Sequence, residues 1–151
     1  MTLKVTVCEL GNAPDDLTRD WDRLVAHVRA EGTDLVLLPE MAFAPWFATV
    51  REFDGDTWQA AVVAHDTWVR RLHELAPAAV LGTRPVNTEA WRHNQGFAWE
   101  PGRGYHAVHT KYYLPDEQGF WEASWYDRGD GDFAPFQCGP ALIGMQICTE
   151  L

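Results

Sequence analysis

Apolar and polar positions alternate between two rhythms along the chain. Leu3 to Cys8 alternates with β-branched residues and runs into Gly11-Asn12-Ala13-Pro14, which predicts a first strand. From about Asp15 to Glu31 the rhythm changes. Leu17, Trp21, Leu24, Val25 and Val28 recur at helical spacing, and Gly32 stands where a left-handed cap ends a helix. Asp34 to Leu38 is a short continuous apolar run bounded by Gly32 and Pro39, the pattern of a strand covered on both faces. A second helix is predicted over Thr57 to Leu75, with Trp58, Ala61, Val62, His65, Trp68, Val69 and Leu72 on one side. Ala78–Thr83, Asn94–Trp99, Tyr105–Lys111 and Ala141–Cys148 read as further strands, with Glu100 to Gly104 as the turn before Tyr105. Tyr112 to Pro135 is long, polar and aromatic, and structureless segments beyond about 12–15 residues usually carry function. This order predicts a layered α/β protein with helices packed against a sheet.

Length and composition narrow the class. A chain of 151 residues with 46% hydrophobic residues and eight tryptophans can form one domain with a substantial core, and disorder is excluded. Twelve basic against 22 acidic side chains give a formal charge of −10, which argues against nucleic acid and anionic membrane as partners. No stretch reaches the roughly 20 apolar residues of a membrane span, and the first residues lack a signal-peptide core. Three cysteines are too few, and odd in number, for a disulfide framework, so a cytoplasmic protein with reduced thiols is expected.

Three chemically capable residues stand at predicted strand ends: Glu40, Lys111 and Cys148. Side chains at strand ends project from a rigid support into loop-walled crevices. If these ends meet, they combine a thiol nucleophile, a carboxylate able to move its proton, and a fixed positive charge for an oxyanion, with the Thr149 N–H as a second donor. That set describes acyl transfer from an amide-like C–N bond to water. On spacing alone the alternatives stand beside it: a packed core cysteine, a solvated glutamate and an edge-blunting lysine.

The surrounding residues carry more. Asp34-Leu-Val-Leu-Leu-Pro-Glu-Met-Ala-Phe43, His109-Thr-Lys-Tyr-Tyr-Leu-Pro-Asp-Glu-Gln-Gly-Phe-Trp-Glu122 and Ile143-Gly-Met-Gln-Ile-Cys-Thr-Glu150 occur in this order. Together they resemble the three motifs of the nitrilase superfamily of carbon–nitrogen hydrolases, and Asn94 falls where that family places an asparagine. The resemblance implies a nitrilase-like α-β-β-α sandwich built from a chain about twice this length, of which these residues are the N-terminal part of a single domain. It implies Cys148 as nucleophile, Glu40 as general base, Lys111 as oxyanion-stabilising cation and Glu122 as a second glutamate that orients lysine and substrate. It implies no cofactor, a small-molecule amide or N-carbamoyl substrate, and a homo-oligomer. The stretch Leu114–Glu122 is most similar to members acting on N-carbamoyl amines and amino acids. A solvated loop glutamate is the competing reading for Glu122, and a direct catalytic role is not assigned to Glu150. Three readings of the whole remain open: a part of an amidase, one component of an assembly completed by another chain, or a non-catalytic binding module.

Other signals carry less. His106-x-x-His109 has a metal-like spacing, but strand geometry is expected to point the two rings to opposite faces, so no metal site is expected. Trp58 and Trp68 read as core, and Asp15 and Asp16 as acids complementing a helix dipole.

Overall fold

The computed structural model describes residues 2–151. Five strands form one sheet in the order β1 (Val5–Val7), β2 (Leu35–Leu37), β3 (Ala79–Asn87), β4 (Arg92–Glu100) and β5 (Gly104–Thr110). The first three run parallel and the last three form an antiparallel meander. Helix α1 (Pro14–Glu31) makes the β1–β2 crossover and α2 (Gly55–Val69) lies within the β2–β3 crossover. Pro14 opens α1, and Gly32 closes it at φ 63°, donating its N–H to Val28. Asp54 caps α2 by accepting from the Thr57 N–H at 3.0 Å.

Alternation along each strand explains the two-sided burial. Val36, Val80 and Phe97 face Leu17, Trp21, Leu24 and Val28 of α1. Their neighbours Leu35, Leu81 and Ala98 face the other way, toward Cys138, Phe136 and Ile143. The second face is covered by a hairpin of β6 (Phe136–Cys138) and β7 (Ala141–Ile143). A continuous apolar run was therefore the correct signature of β2.

Three expectations change. The second helix ends at Val69 rather than Leu75, and a 3₁₀ turn, Leu72–Leu75, follows it. Three residues per turn put Leu72 and Leu75 on one side, and both are fully buried. The predicted strand Ala141–Cys148 stops at Ile143, which pairs with Phe136. The next partner would be Pro135, which has no N–H to give, so residues 144–147 leave the ladder and Cys148 begins a 3₁₀ turn. Finally, His106 and His109 share a face. A bulge between Gly96 and Phe97 pairs His106 with Ala98 and His109 with Gly96, and those two partners are two residues apart. The extra residue cancels the expected alternation. No helix among the described residues is long and apolar enough to cross a membrane.

Candidate active site

Glu40 lies just past β2, in a turn anchored on both sides. Leu38 donates its N–H to Leu81 at 2.9 Å, and Met41 donates its N–H to the Thr83 hydroxyl at 2.8 Å. Met41 takes φ 51°, a left-handed conformation that a long side chain adopts only under tertiary constraint. Behind the turn, buried His65 fixes Phe43. Its Nδ1 stands 2.8 Å from the Ala61 carbonyl, and its Nε2 accepts from the Phe43 N–H at 3.4 Å. Burial holds this imidazole down at a pKa of about 4, so it is neutral at physiological pH.

Lys111 follows β5 and is completely buried. Its backbone is held by Asn94, which accepts from the Lys111 N–H at 2.9 Å, and by Gly129, which donates to the Lys111 carbonyl at 3.0 Å. Gly129 must be glycine, because a Cβ there would stand 2.3 Å from the Thr110 carbonyl oxygen. The ammonium lies between two carboxylates, 2.9 Å from Glu40 Oε1 and 2.9 and 2.7 Å from the two oxygens of Glu122. Burial opposes its charge, but the two glutamates outweigh that cost and raise its pKa.

Glu122 opens a four-residue helix, α3 (Glu122–Trp125), inside the long aromatic segment, and it is buried rather than solvated. Burial pushes its carboxyl up to about 7 against the pull of Lys111, and Glu40 and Glu150 push the same way. Asn94, fully buried on β4, donates from Nδ2 to Glu40 Oε1 at 2.7 Å, while its Oδ1 has no partner. Tyr126 supports the wall with its ring against Phe47 and Trp58 and a buried hydroxyl without a partner.

Cys148 is exposed and has φ 51°. It lines, with Glu40, a groove of about 630 Å³ floored by Leu35, Leu37 and Leu81. Partial desolvation of the sulfur and the Glu40 charge raise its pKa, while Lys111 and the Thr149 N–H pull it down. The thiol thus keeps its proton at neutral pH and needs a base to ionise it. The Thr149 hydroxyl donates to the Tyr113 carbonyl at 2.9 Å.

Glu40, Lys111 and Glu122 are thus in direct contact, and Cys148 opens onto the same groove as Glu40. Two contacts of the site are not legible in the sequence. The motif names Asn94 but not its bond to Glu40, although a buried asparagine inside a strand must find partners and so signals a polar contact. The sequence assigns Glu150 no direct role, and its side chain is wholly buried against His109. His106 stands instead 3.6 Å from Glu100. Among the described residues, no group of three or more His, Cys, Asp and Glu is arranged to hold a metal ion.

The sequence pattern described as carbon-nitrogen hydrolase matches residues 4–151. Comparison with curated proteins gives no match. Among solved structures, the chain is similar to a carbon-nitrogen hydrolase from Helicobacter pylori G27, with 17% identity and a TM-score of 0.78 over 97% of this chain and 51% of that one. It is similar to a CN-hydrolase superfamily protein from Xanthomonas campestris with an arsenic adduct in its active site, with 18% identity and a TM-score of 0.70 over 97% and 53%. It also resembles a mutant of the amidase from Nesterenkonia sp. AN1 whose active-site cysteine has undergone Michael addition of acrylamide. There the identity is 14% and the TM-score 0.68, over 98% and 58%. The chain spans about half the length of these structures, and the likeness shows a nitrilase-like α/β fold.

Proposed function

Because this chain belongs to the carbon-nitrogen hydrolase family, we propose that it hydrolyses a non-peptide C–N bond, of an amide or N-carbamoyl group, through a thioester on Cys148. The observation that carries the proposal is the buried Lys111 ammonium held between Glu40 and Glu122, beside the groove that Cys148 lines. The Cys148 sulfur attacks the carbonyl carbon as Glu40 takes the thiol proton. The carbonyl oxygen gains the negative charge, and Lys111 and the Thr149 N–H stabilise it. Glu40 returns the proton to the departing nitrogen as the C–N bond breaks, leaving ammonia or an amine and the thioester. Glu40 then takes a proton from water, whose oxygen attacks the thioester. The acid product leaves, and the thiol regains its proton. Asn94 and Lys111 together orient the Glu40 carboxylate, and Glu122 holds Lys111.

The reading includes N-carbamoyl amines or amino acids as substrates, for which the segment Leu114–Glu122 is the support. It also treats residues 1–151 as the N-terminal part of one hydrolase domain, acting in the cytoplasm as a homo-oligomer without a cofactor. Iodoacetamide is expected to alkylate Cys148 faster than Cys8 and Cys138, and Cys148→Ser to abolish ammonia release from carboxamides and N-carbamoyl compounds. Equal labelling of the three thiols, with no ammonia from any such compound, would refute it.

A second reading is favoured by the apolar rim of the groove, where Val5 and Leu142 are exposed. There the site works only once a further polypeptide surface covers that rim, or the fold serves as a binding module without catalysis. Light scattering of active and inactive preparations distinguishes these cases by mass.

A further inference from the structure

The Glu150 carboxylate sits between the two halves of the site. Its Oε1 accepts from the Tyr112 N–H at 2.7 Å, directly after Lys111. Its Oε2 accepts from the Ile147 N–H at 2.9 Å, directly before Cys148, and lies 2.7 Å from His109 Nε2. Both side chains are buried, and the Phe133 ring packs on the imidazole at 4.9 Å.

The proton inventory of this pair follows from its partners. His109 Nδ1 stands 2.9 Å from the Asp132 carbonyl oxygen, which can only accept, so Nδ1 carries hydrogen. A single proton must therefore lie between Nε2 and Oε2, as a histidinium donating to a carboxylate or a carboxylic acid donating to a neutral ring. In either form the bond is charge-assisted or strongly polar and oriented at both ends.

Cys148 needs such support. Its φ of 51° is unfavourable for a residue with a Cβ, and no strand ladder extends past Ile143 to hold it. The β5 bulge aims His109 at this turn, and Gly96 opposite leaves the room that Met145 fills, since a Cβ there would stand 2.6 Å from the Met145 sulfur.

We propose that Glu150 and His109 are positioning residues: their buried pair ties the Cys148 turn to the end of the Lys111 strand and so sets where the sulfur stands relative to Lys111 and Glu40. The inference rests on Cys148 being the nucleophile, and the test separates the two. The full chain and its variants Glu150→Gln, Glu150→Asp, His109→Leu and His109→Gln are treated with iodoacetamide, and alkylation of each cysteine is followed by peptide mass spectrometry. Hydrolysis is measured alongside as kcat and KM.

Misplacing a reacting atom by about an ångström can cost roughly a hundredfold. Glu150→Gln and His109→Leu are therefore expected to slow Cys148 alkylation and kcat by about tenfold to a hundredfold, with KM little changed. His109→Gln, which returns a nitrogen donor near the Nε2 position, recovers most of the rate. Buried Cys138 remains protected throughout and reports an intact fold. If Glu150→Gln or His109→Leu loses that protection, Glu150→Asp decides, since it keeps the carboxyl group and moves it by one methylene: a slowed Cys148 with Cys138 still protected is expected, and an unchanged Cys148 rate would overturn the positioning role. Wild-type rates at Cys148 in the folded variants would overturn the positioning role alone, as would equal losses in His109→Leu and His109→Gln. A slow Cys148 in the wild type would overturn the nucleophile assignment and this inference with it.

Discussion

Two buried groups at the site drive stability in opposite directions with pH. Glu122 rises from an ordinary 4.5 to about 7, and His65 falls from 6.5 to about 4, each chiefly through burial. For Glu122 the folded protein holds a proton that the unfolded chain releases, so its contribution is complete below pH 4.5 and is lost as pH rises through 7. For His65 the unfolded chain holds the extra proton, so its contribution is complete above pH 6.5 and is lost as pH falls through 4. At 1.36 kcal/mol per unit, each shift amounts to about 3 kcal/mol. Between pH 4.5 and 6.5 the two slopes largely cancel.

Glu122→Gln and His65→Gln expose them separately. Urea unfolding at a series of pH values from 4.5 to 8 gives the assay. Relative to wild type, Glu122→Gln is expected to gain about 3 kcal/mol as pH rises across this interval, and His65→Gln to gain a similar amount as pH falls toward 4.5. Curves for both variants that run parallel to wild type would refute the assignment of these proton affinities to burial.

Lys111→Met leaves the buried Glu122 and the partly buried Glu40 without a cation, so a loss of about 3–5 kcal/mol is expected at pH 8, shrinking at pH 5 where Glu122 is protonated. Equilibrium unfolding at the two pH values checks it. Asn94→Ala removes a hydrogen bond to a charged acceptor and is expected to cost about 1.5–3 kcal/mol of stability. It should also lower kcat, read from the ammonia assay, because Glu40 loses the contact that orients it. Gly129→Ala drives a Cβ into the Thr110 carbonyl and is expected to destabilise by about 1–3 kcal/mol, measured as a lower urea midpoint.

Order and type of the elements were legible because they depend on neighbours in sequence. Leu17, Trp21, Leu24 and Val28 must lie on one helix face, and the run Leu35–Leu37 must be covered on both sides, whatever else the chain does. Glu40, Lys111 and Cys148 could be named for the same reason, as reactive side chains beside apolar runs. Other features depended on residues far apart. Strand β7 ends early because its partner would be Pro135, and the His109 ring turns over because β5 bulges against β4. Glu122 changes from a solvated loop acid to one titrating near 7 because distant segments bury it, against the pull of Lys111, eleven residues away. Glu150 illustrates the limit most clearly. In sequence it is an acid two residues after a cysteine, and its burial comes from Tyr112 and His109, 38 and 41 positions earlier. Periodicity records which way a side chain points, whereas desolvation and hydrogen bonding depend on what it meets there, and that is settled only when distant segments pack together.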